Sequence, residues 1–269
     1  MLVQSIMENL PMQQTENPAQ IYRILLVLLL LLTSVNAAAK QKRFVIGVEE
    51  VSYYPLYDFS AADTDRPSFS KELLVRFFEH YNYQYDFLVL PIKRFNEWYV
   101  EQEVDFKFPD SARWHASDKT KLNITFSKPV IELMSGSYML KSQAKTQRQQ
   151  VKTLSTILGF YPSLWFKEIA NGSIRIVEQP SPMSVVKHVL YGEDVATNIN
   201  GNVIRHNLAR LNKSGALVLN RTIDHELYAY HMSSINYPEI IAQFNDFLTL
   251  KPKLISELKA KYNIQDESL

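Results

Sequence analysis

From residue 44 onward, short apolar runs alternate with amphipathic helical segments, and the alternation passes along the chain twice. No other feature constrains the fold as much, because strands alternating with helices require a mostly parallel sheet with helical layers on it. The first pass opens with the buried-strand pattern Phe44–Val48, followed by an aromatic and proline-rich loop from Tyr53 to Pro67. Ser68–Tyr81 reads as a helix, since Phe69, Leu73, Leu74, Phe77 and Phe78 recur at helical spacing. Tyr85–Leu90 is a second strand. Pro91 then starts a helix where its missing N–H costs nothing, with Ile92, Phe95, Trp98 and Tyr99 as its core face. Val104–Phe108 is a third strand.

The second pass contains strands at Leu154–Leu158, Ser173–Val177 and Asp194–Ile199. Helices are expected from Ser163, over Pro182–Leu190, and over Val203–Leu211 with Asn202 as cap. Leu217–Asn220 and Glu226–Met232 are further strands, and Pro238–Leu250 and Pro252–Tyr262 are closing amphipathic helices. The pattern predicts an α/β protein made of two β/α halves joined by extended segments.

Residues 21–40, IYRILLVLLLLLTSVNAAAK, join one basic flank to a short apolar core and a small-residue exit. That is the layout of an export signal, and the apolar run is about half of the roughly 20 residues a membrane-spanning helix needs. A retained anchor is the alternative. Residues 1–39 are therefore expected to be leader and signal peptide, with Met7 or Met12 as alternative starts. The chain has no cysteine, so export brings neither a disulfide framework nor a lipid anchor at the junction. Removing residues 1–39 takes away Arg23, Glu8 and Glu16 and leaves 28 basic and 26 acidic residues. A balance so close to neutral is no footprint for nucleic acid or an anionic membrane. Lys141–Lys152, polar and without an acidic residue, reads as a solvated connector.

The order of elements and several local strings resemble family 3 of the bacterial extracellular solute-binding proteins, the periplasmic amino-acid-type receptors of ABC importers. FVIGVEEVSYYPLYDF at 44–59 resembles that family's first strand and ligand loop, and LPIKRFNEWYVEQEVDF at 90–106 its second strand, helix and third strand. ITFSKPVIELMSGSYML at 124–140 resembles the segment leading into the first hinge crossing. VKHVLYGEDVAT at 186–197 is similar to the unit before the distal ligand loop, and ELYAYHMSSINYPEIIAQFNDFLTL at 226–250 to the return crossing and terminal helices. The resemblance covers nearly all of 43–264.

It implies a two-lobed, periplasmic-binding-protein-like type II fold, each lobe a mostly parallel sheet flanked by helices, joined by two hinge crossings. One lobe would comprise 40–133 plus 227–269 and the other 134–226, with crossings near Ile131–Tyr138 and Leu227–Tyr230. The solute would lie between the lobes at the carboxyl ends of the strands, and closure would be a hinge motion. A small polar solute, a membrane permease or receptor, a periplasmic location and a monomeric state are the implied partners and setting. No cofactor or metal is expected.

The candidate ligand-binding residues follow from strand ends and loops. Glu49 ends the first strand, where the resemblance implies an acid for a ligand ammonium; an ordinary loop carboxylate is the other reading. Tyr53, Tyr54 and Tyr57 combine apolar area with a hydrogen-bonding tip, although the lobe core would use them equally well. Arg94 either binds an anion or anchors its helix. Lys107, Arg113 and Trp114 straddle the loop after the third strand; Arg113 suits a bidentate carboxylate or a surface ion pair, and Trp114 a flat ligand. Phe160 and Tyr161 after Gly159, with Asn198 and Asn200, are the distal candidates. The family's carboxylate-clamping Arg falls on Thr120, between Lys119 and Lys121, and its distal Asp is replaced by the run Thr197-Asn-Ile-Asn200. A standard free amino acid is thus poorly matched, leaving peptides, polyamines, organic acids and aromatic solutes open. No motif for covalent or metal chemistry is present, so a non-enzyme is expected. A ligand sensor docking on a membrane receptor is the main alternative, and a cleft dehydratase using Glu49 as general acid a lesser one.

Overall fold

The computed structural model describes residues 42–60, 66–115 and 122–267. The export-signal reading of 21–40 and the positions Lys119–Lys121 lie outside these residues.

The strands are β1 (Arg43–Glu49), β2 (Ser52–Tyr53), β3 (Tyr57–Asp58), β4 (Gln84–Leu90), β5 (Phe106–Asp110), β6 (Thr125–Phe126) and β7 (Ile131–Ser135). They continue as β8 (Tyr138–Leu140), β9 (Thr153–Ile157), β10 (Arg175–Gln179), β11 (Ala196–Thr197), β12 (Leu217–Leu219) and β13 (Glu226–Ser234). The helices used below are α1 (Phe69–His80), α2 (Trp98–Glu101), α3 (Phe166–Ala170), α4 (Pro182–Leu190), α5 (Gly201–Arg210), α6 (Pro238–Leu250) and α7 (Pro252–Lys261).

Two sheets define two lobes. The first has the order β4-β1-β5-β13-β6 and the second β10-β9-β11-β8-β12. In each, three adjacent strands are parallel (β4, β1 and β5; β10, β9 and β11) and the later partners antiparallel. β1 sits between two parallel neighbours and is buried on both faces from Ile46 to Glu49, so it reads as a nearly continuous apolar run. Gly47 within it is a packing requirement: a Cβ there would come 3.1 Å from Val104 and 3.2 Å from the Trp98 ring.

The two crossings run side by side. β7 pairs antiparallel with the first half of β13, from Ile131 opposite Tyr230 to Ser135 opposite Glu226. β13 then continues into the first sheet, so one nine-residue strand serves both crossing and lobe.

α1 buries the five residues whose spacing predicted it, and Phe77 meets Phe244 of α6 at 4.8 Å. Burying a side chain of this size contributes about 1.5–3 kcal/mol, and the C-terminal helices therefore cover the first lobe. The expected helix after Pro91 is instead a 3-10 segment, Ile92–Glu97, followed by the single turn α2. The Phe95 carbonyl receives the Trp98 N–H and the Lys107 ammonium, which places Phe95, Trp98 and Tyr99 inward over a short span. The cap of α5 is also corrected: Asn200, not Asn202, accepts from the Asn202 N–H at 2.8 Å. The third and fifth parallel strands are displaced toward their C-terminal ends relative to the sequence pattern, at Phe106–Asp110 and Arg175–Gln179. Among the described residues no helix is long and apolar enough to cross a membrane.

Candidate ligand-binding cleft

The carboxyl ends of β1, β4 and β5 face the loop after β9, and the crossing pair closes one side. A cavity of about 360 Å³ lies there, walled by both lobes and both crossings. Eight sequence-predicted residues line it: Glu49, Tyr53, Tyr57, Arg113, Trp114, Phe160, Tyr161 and Asn198.

Glu49 is the chemical centre of the first-lobe wall. It is only 4% exposed, at the end of β1. The Tyr57 hydroxyl donates to its carboxylate. Burial, with a smaller contribution from the nearby negative Asp110, pushes its pKa up to about 8 against the opposing Tyr57 hydrogen bond. Glu49 is therefore mostly protonated at neutral pH, a buried acid whose ionised form lacks compensation. Asp110 ends the neighbouring β5 and accepts from the Ser111 N–H at 2.7 Å and from the Ser233 hydroxyl, with the His115 ring nitrogen Nε2 also 2.7 Å away. Ser233 in turn is reached by the Tyr99 hydroxyl at 2.7 Å.

Aromatic rings form most of the remaining wall. Tyr53 lies 5.2 Å from both Tyr57 and Phe160, Tyr230 lies 5.9 Å from Tyr57 and 6.0 Å from Trp114, and Tyr228 lies 5.7 Å from Tyr230. Burial raises the hydroxyl pKa values of Tyr53, Tyr57, Tyr228 and Tyr230, so all four stay neutral donors. On the distal wall Trp165 is fixed by its indole N–H to Ser137 at 3.0 Å and by the Arg148 guanidinium 4.2 Å over its ring.

The lobes touch across the cleft. The Asn200 N–H donates to the Tyr53 hydroxyl at 2.7 Å, Arg113 donates to Ser163 at 2.5 Å and to Glu226, and Lys93 pairs with Glu178 at 3.2 Å. Arg113 thus joins the 3-10 turn after β5, the distal loop and a crossing.

Four sequence candidates lie elsewhere. Tyr54 packs 4.5 Å from His206 and under the Arg66 guanidinium, behind the cleft. Arg94 is 57% exposed and pairs with Glu101. Lys107 is fully buried in the first lobe, its ammonium 2.7 Å from the Phe95 carbonyl and between the Phe95 and Tyr99 rings. Alternation explains this: on β5, Lys107 points to the face that Phe95 and Tyr99 cover. Asn200 is spent on the helix cap and on Glu267, to which its amide donates at 2.9 Å.

Tyr228 and Tyr230 were missed, as were Glu97 and Trp165. Tyr228 and Tyr230 stand two apart on a strand, and that period places both on one face; this signal was available in the sequence. For Trp165 nothing in the sequence distinguishes cleft from core.

No protein-family model matches the sequence, and no curated protein matches it. Solved structures share its fold. A variant of ArgBP from T. maritima superposes with a TM-score of 0.64 at 12% identity, covering 83% of this chain and 96% of its own. A histidine kinase sensor domain with similarity to periplasmic binding proteins gives 0.64 at 15% identity, with 85% and 99% covered. An ancestral amino acid-binding protein, a precursor of cyclohexadienyl dehydratase, gives 0.63 at 14% identity, with 85% and 99% covered. The chain therefore has the two-lobed periplasmic-binding-protein fold. At these identities the likeness is one of fold.

Proposed function

We propose that this chain is an exported solute-binding protein that closes two lobes over a small polar solute and performs no chemistry on it. The observation that carries the reading is the cleft cavity of about 360 Å³, walled by residues of both lobes and both crossings. A solute there contacts the two lobes together, so it favours the closed arrangement by contacts the open one lacks. The lobes are 40–133 plus 227–269 and 134–226, and the antiparallel pair β7–β13 is the hinge between them. The closed form is then presented to a membrane permease of an ABC-type importer in the periplasm, with the receptor acting as a monomer. A second reading, presentation to a membrane receptor, is favoured by the equal likeness to a kinase sensor domain.

A thermal-shift screen of amino acids, short peptides, polyamines, organic acids and sugars tests the proposal. A solute at 100 times its dissociation constant adds about 2.7 kcal/mol, a shift of several degrees. A hit abolished by Trp114→Ala supports the cleft as the site. A hit insensitive to Trp114 and Tyr230 substitutions places binding elsewhere and defeats the reading.

A further inference from the structure

Resting on the receptor reading, we infer that the solute is an organic cation: a small molecule with an ammonium group, a flat or apolar body and no carboxylate. The inference comes from which polar groups of the wall are already spent. Arg113 is engaged by Glu226 and Ser163, and Lys93 by Glu178. Each of these two cationic groups thus has a carboxylate partner. The acceptors stand differently. Glu49 faces the cavity with Tyr57 as its hydrogen-bond partner and no ion pair among the described residues. Glu97 lines the mouth with no ion pair among the described residues. The Asn198 Oδ1 atom is buried in the wall and accepts no hydrogen bond. Arg113 gives its Nη2 to both Glu226 and Ser163, so its charge is already balanced by a carboxylate and an anionic solute would face Glu226 beside it. A cation meets carboxyl groups that no positive charge balances and a buried amide oxygen that has no donor.

The rings supply the other half of the recognition. Tyr53, Tyr57, Trp114, Phe160, Tyr228 and Tyr230 surround the cavity. Ring faces attract ammonium groups, most strongly where water is excluded, and they pack a flat or alkyl body equally well. The Arg113 guanidinium already lies 5.5 Å from the Tyr228 ring centre. The volume is at the small end of the roughly 300–1,000 Å³ usual for ligand pockets, which suits one amine rather than a peptide.

Binding must also move a proton. Glu49 is surrounded by Tyr53 from β2, Tyr57 from β3, Asp110 from β5, and Tyr228 and Tyr230 from β13. All of these are neutral or negative. An ammonium placed beside the Glu49 carboxyl supplies the missing positive charge, so Glu49 releases its proton to solvent and pairs as the carboxylate. With its pKa at about 8, about 0.9 proton per solute leaves at pH 7.

The test is calorimetry on the full chain with two matched series. Tryptamine, tryptophan and indole-3-acetate share a ring and differ in charge; hexylamine, norleucine and hexanoate do the same for an alkyl body. The expected result is that the amine of at least one series binds ten-fold or more tighter than its zwitterion, with no binding of its anion. Titrations in buffers of different ionisation heat should show close to one proton released at pH 7. Glu49→Gln should weaken the amine at least ten-fold and abolish that release. Asn198→Asp, on the other wall, should tighten it. A zwitterion or anion that binds as well as its amine overturns the cation assignment while leaving the receptor reading intact, provided Trp114→Ala removes the binding. Amine binding without proton release also overturns it. If none of the six binds, the cation assignment falls, and the receptor reading falls with it only when the wider solute screen is also empty.

Discussion

Replacing Glu49 by Gln should make the protein more stable at mildly alkaline pH, and by an amount that depends on pH. In the folded state burial pushes the Glu49 pKa from 4.5 to about 8, with Asp110 adding to the shift and Tyr57 opposing it. The unfolded chain ionises this group near its ordinary value. Between pH 4.5 and 8 the folded form therefore holds a proton that the unfolded form has lost. Stability falls by about 1.4 kcal/mol per pH unit across that window. The contribution is intact below pH 4.5 and fully lost above pH 8, about 5 kcal/mol in all. Between pH 5 and pH 8 the part that can be measured is about 3 to 4 kcal/mol. That is large against a total stability of about 5–15 kcal/mol. Gln keeps the shape and an oxygen for the Tyr57 hydroxyl, and it does not titrate. Urea unfolding of both proteins at half-unit steps from pH 5 to 8.5 gives the difference directly, and other titrating groups cancel in it. The gap should widen in favour of the variant as pH rises and flatten above pH 8. A gap constant within about 1 kcal/mol over this range would refute the assignment of Glu49 as a buried, proton-bearing acid.

Three further substitutions probe the neighbouring structure. Tyr57→Phe removes the hydrogen bond that favours the Glu49 carboxylate, so the carboxyl titration followed by carbon NMR should move to still higher pH; a downward move contradicts the geometry. Gly201→Ala places a Cβ 2.5 Å from Glu267 and 2.6 Å from the Tyr138 hydroxyl, which should cost about 1–3 kcal/mol and lower the melting temperature by several degrees. Glu267 accepts from the Met134 N–H at 2.7 Å and from Asn200 at 2.9 Å, tying the chain after α7 to the start of α5 and to β7. Glu267→Gln should cost about 1–2 kcal/mol and increase the radius of gyration in solution scattering as the lobes part more readily. An unchanged radius would show that this contact does not restrain the hinge.

The two-lobed arrangement was legible because it rests on periodicity. α1, α4, α6 and α7 were recoverable from apolar spacing, since each must cover a sheet face and cannot do so without a 3.6-residue stripe. The pairing of β7 with β13 was anticipated as two crossings, but its register follows from contacts far apart in the chain, Ile131 with Tyr230, 99 residues on, being one pair. Helix spacing failed where tertiary bonds compete with it. The Ile92–Glu97 segment has the right apolar residues, yet the Lys107 ammonium at the Phe95 carbonyl and the burial of Trp98 make a 3-10 path the better solution.

The cleft was legible to the extent that strand ends are. Glu49, Arg113, Trp114 and Phe160 follow parallel strands, and open α/β sheets place such positions at the crevice. What position cannot reveal is the partner a charged group has already taken. Arg113 is a carboxylate clamp by residue type, but Glu226 occupies it from 113 residues away. Lys107 stands on the strand that leads to the cleft and yet lies under two rings. Asn200 sits in the right loop and is consumed by the cap of α5. In each case residue type suggests a ligand contact and the fold spends the group on itself. The polar groups left without a cation are thus the carboxyl groups of Glu49 and Glu97 and the amide of Asn198, so the chemistry of this cleft is set as much by the cations it has neutralised as by the residues that line it.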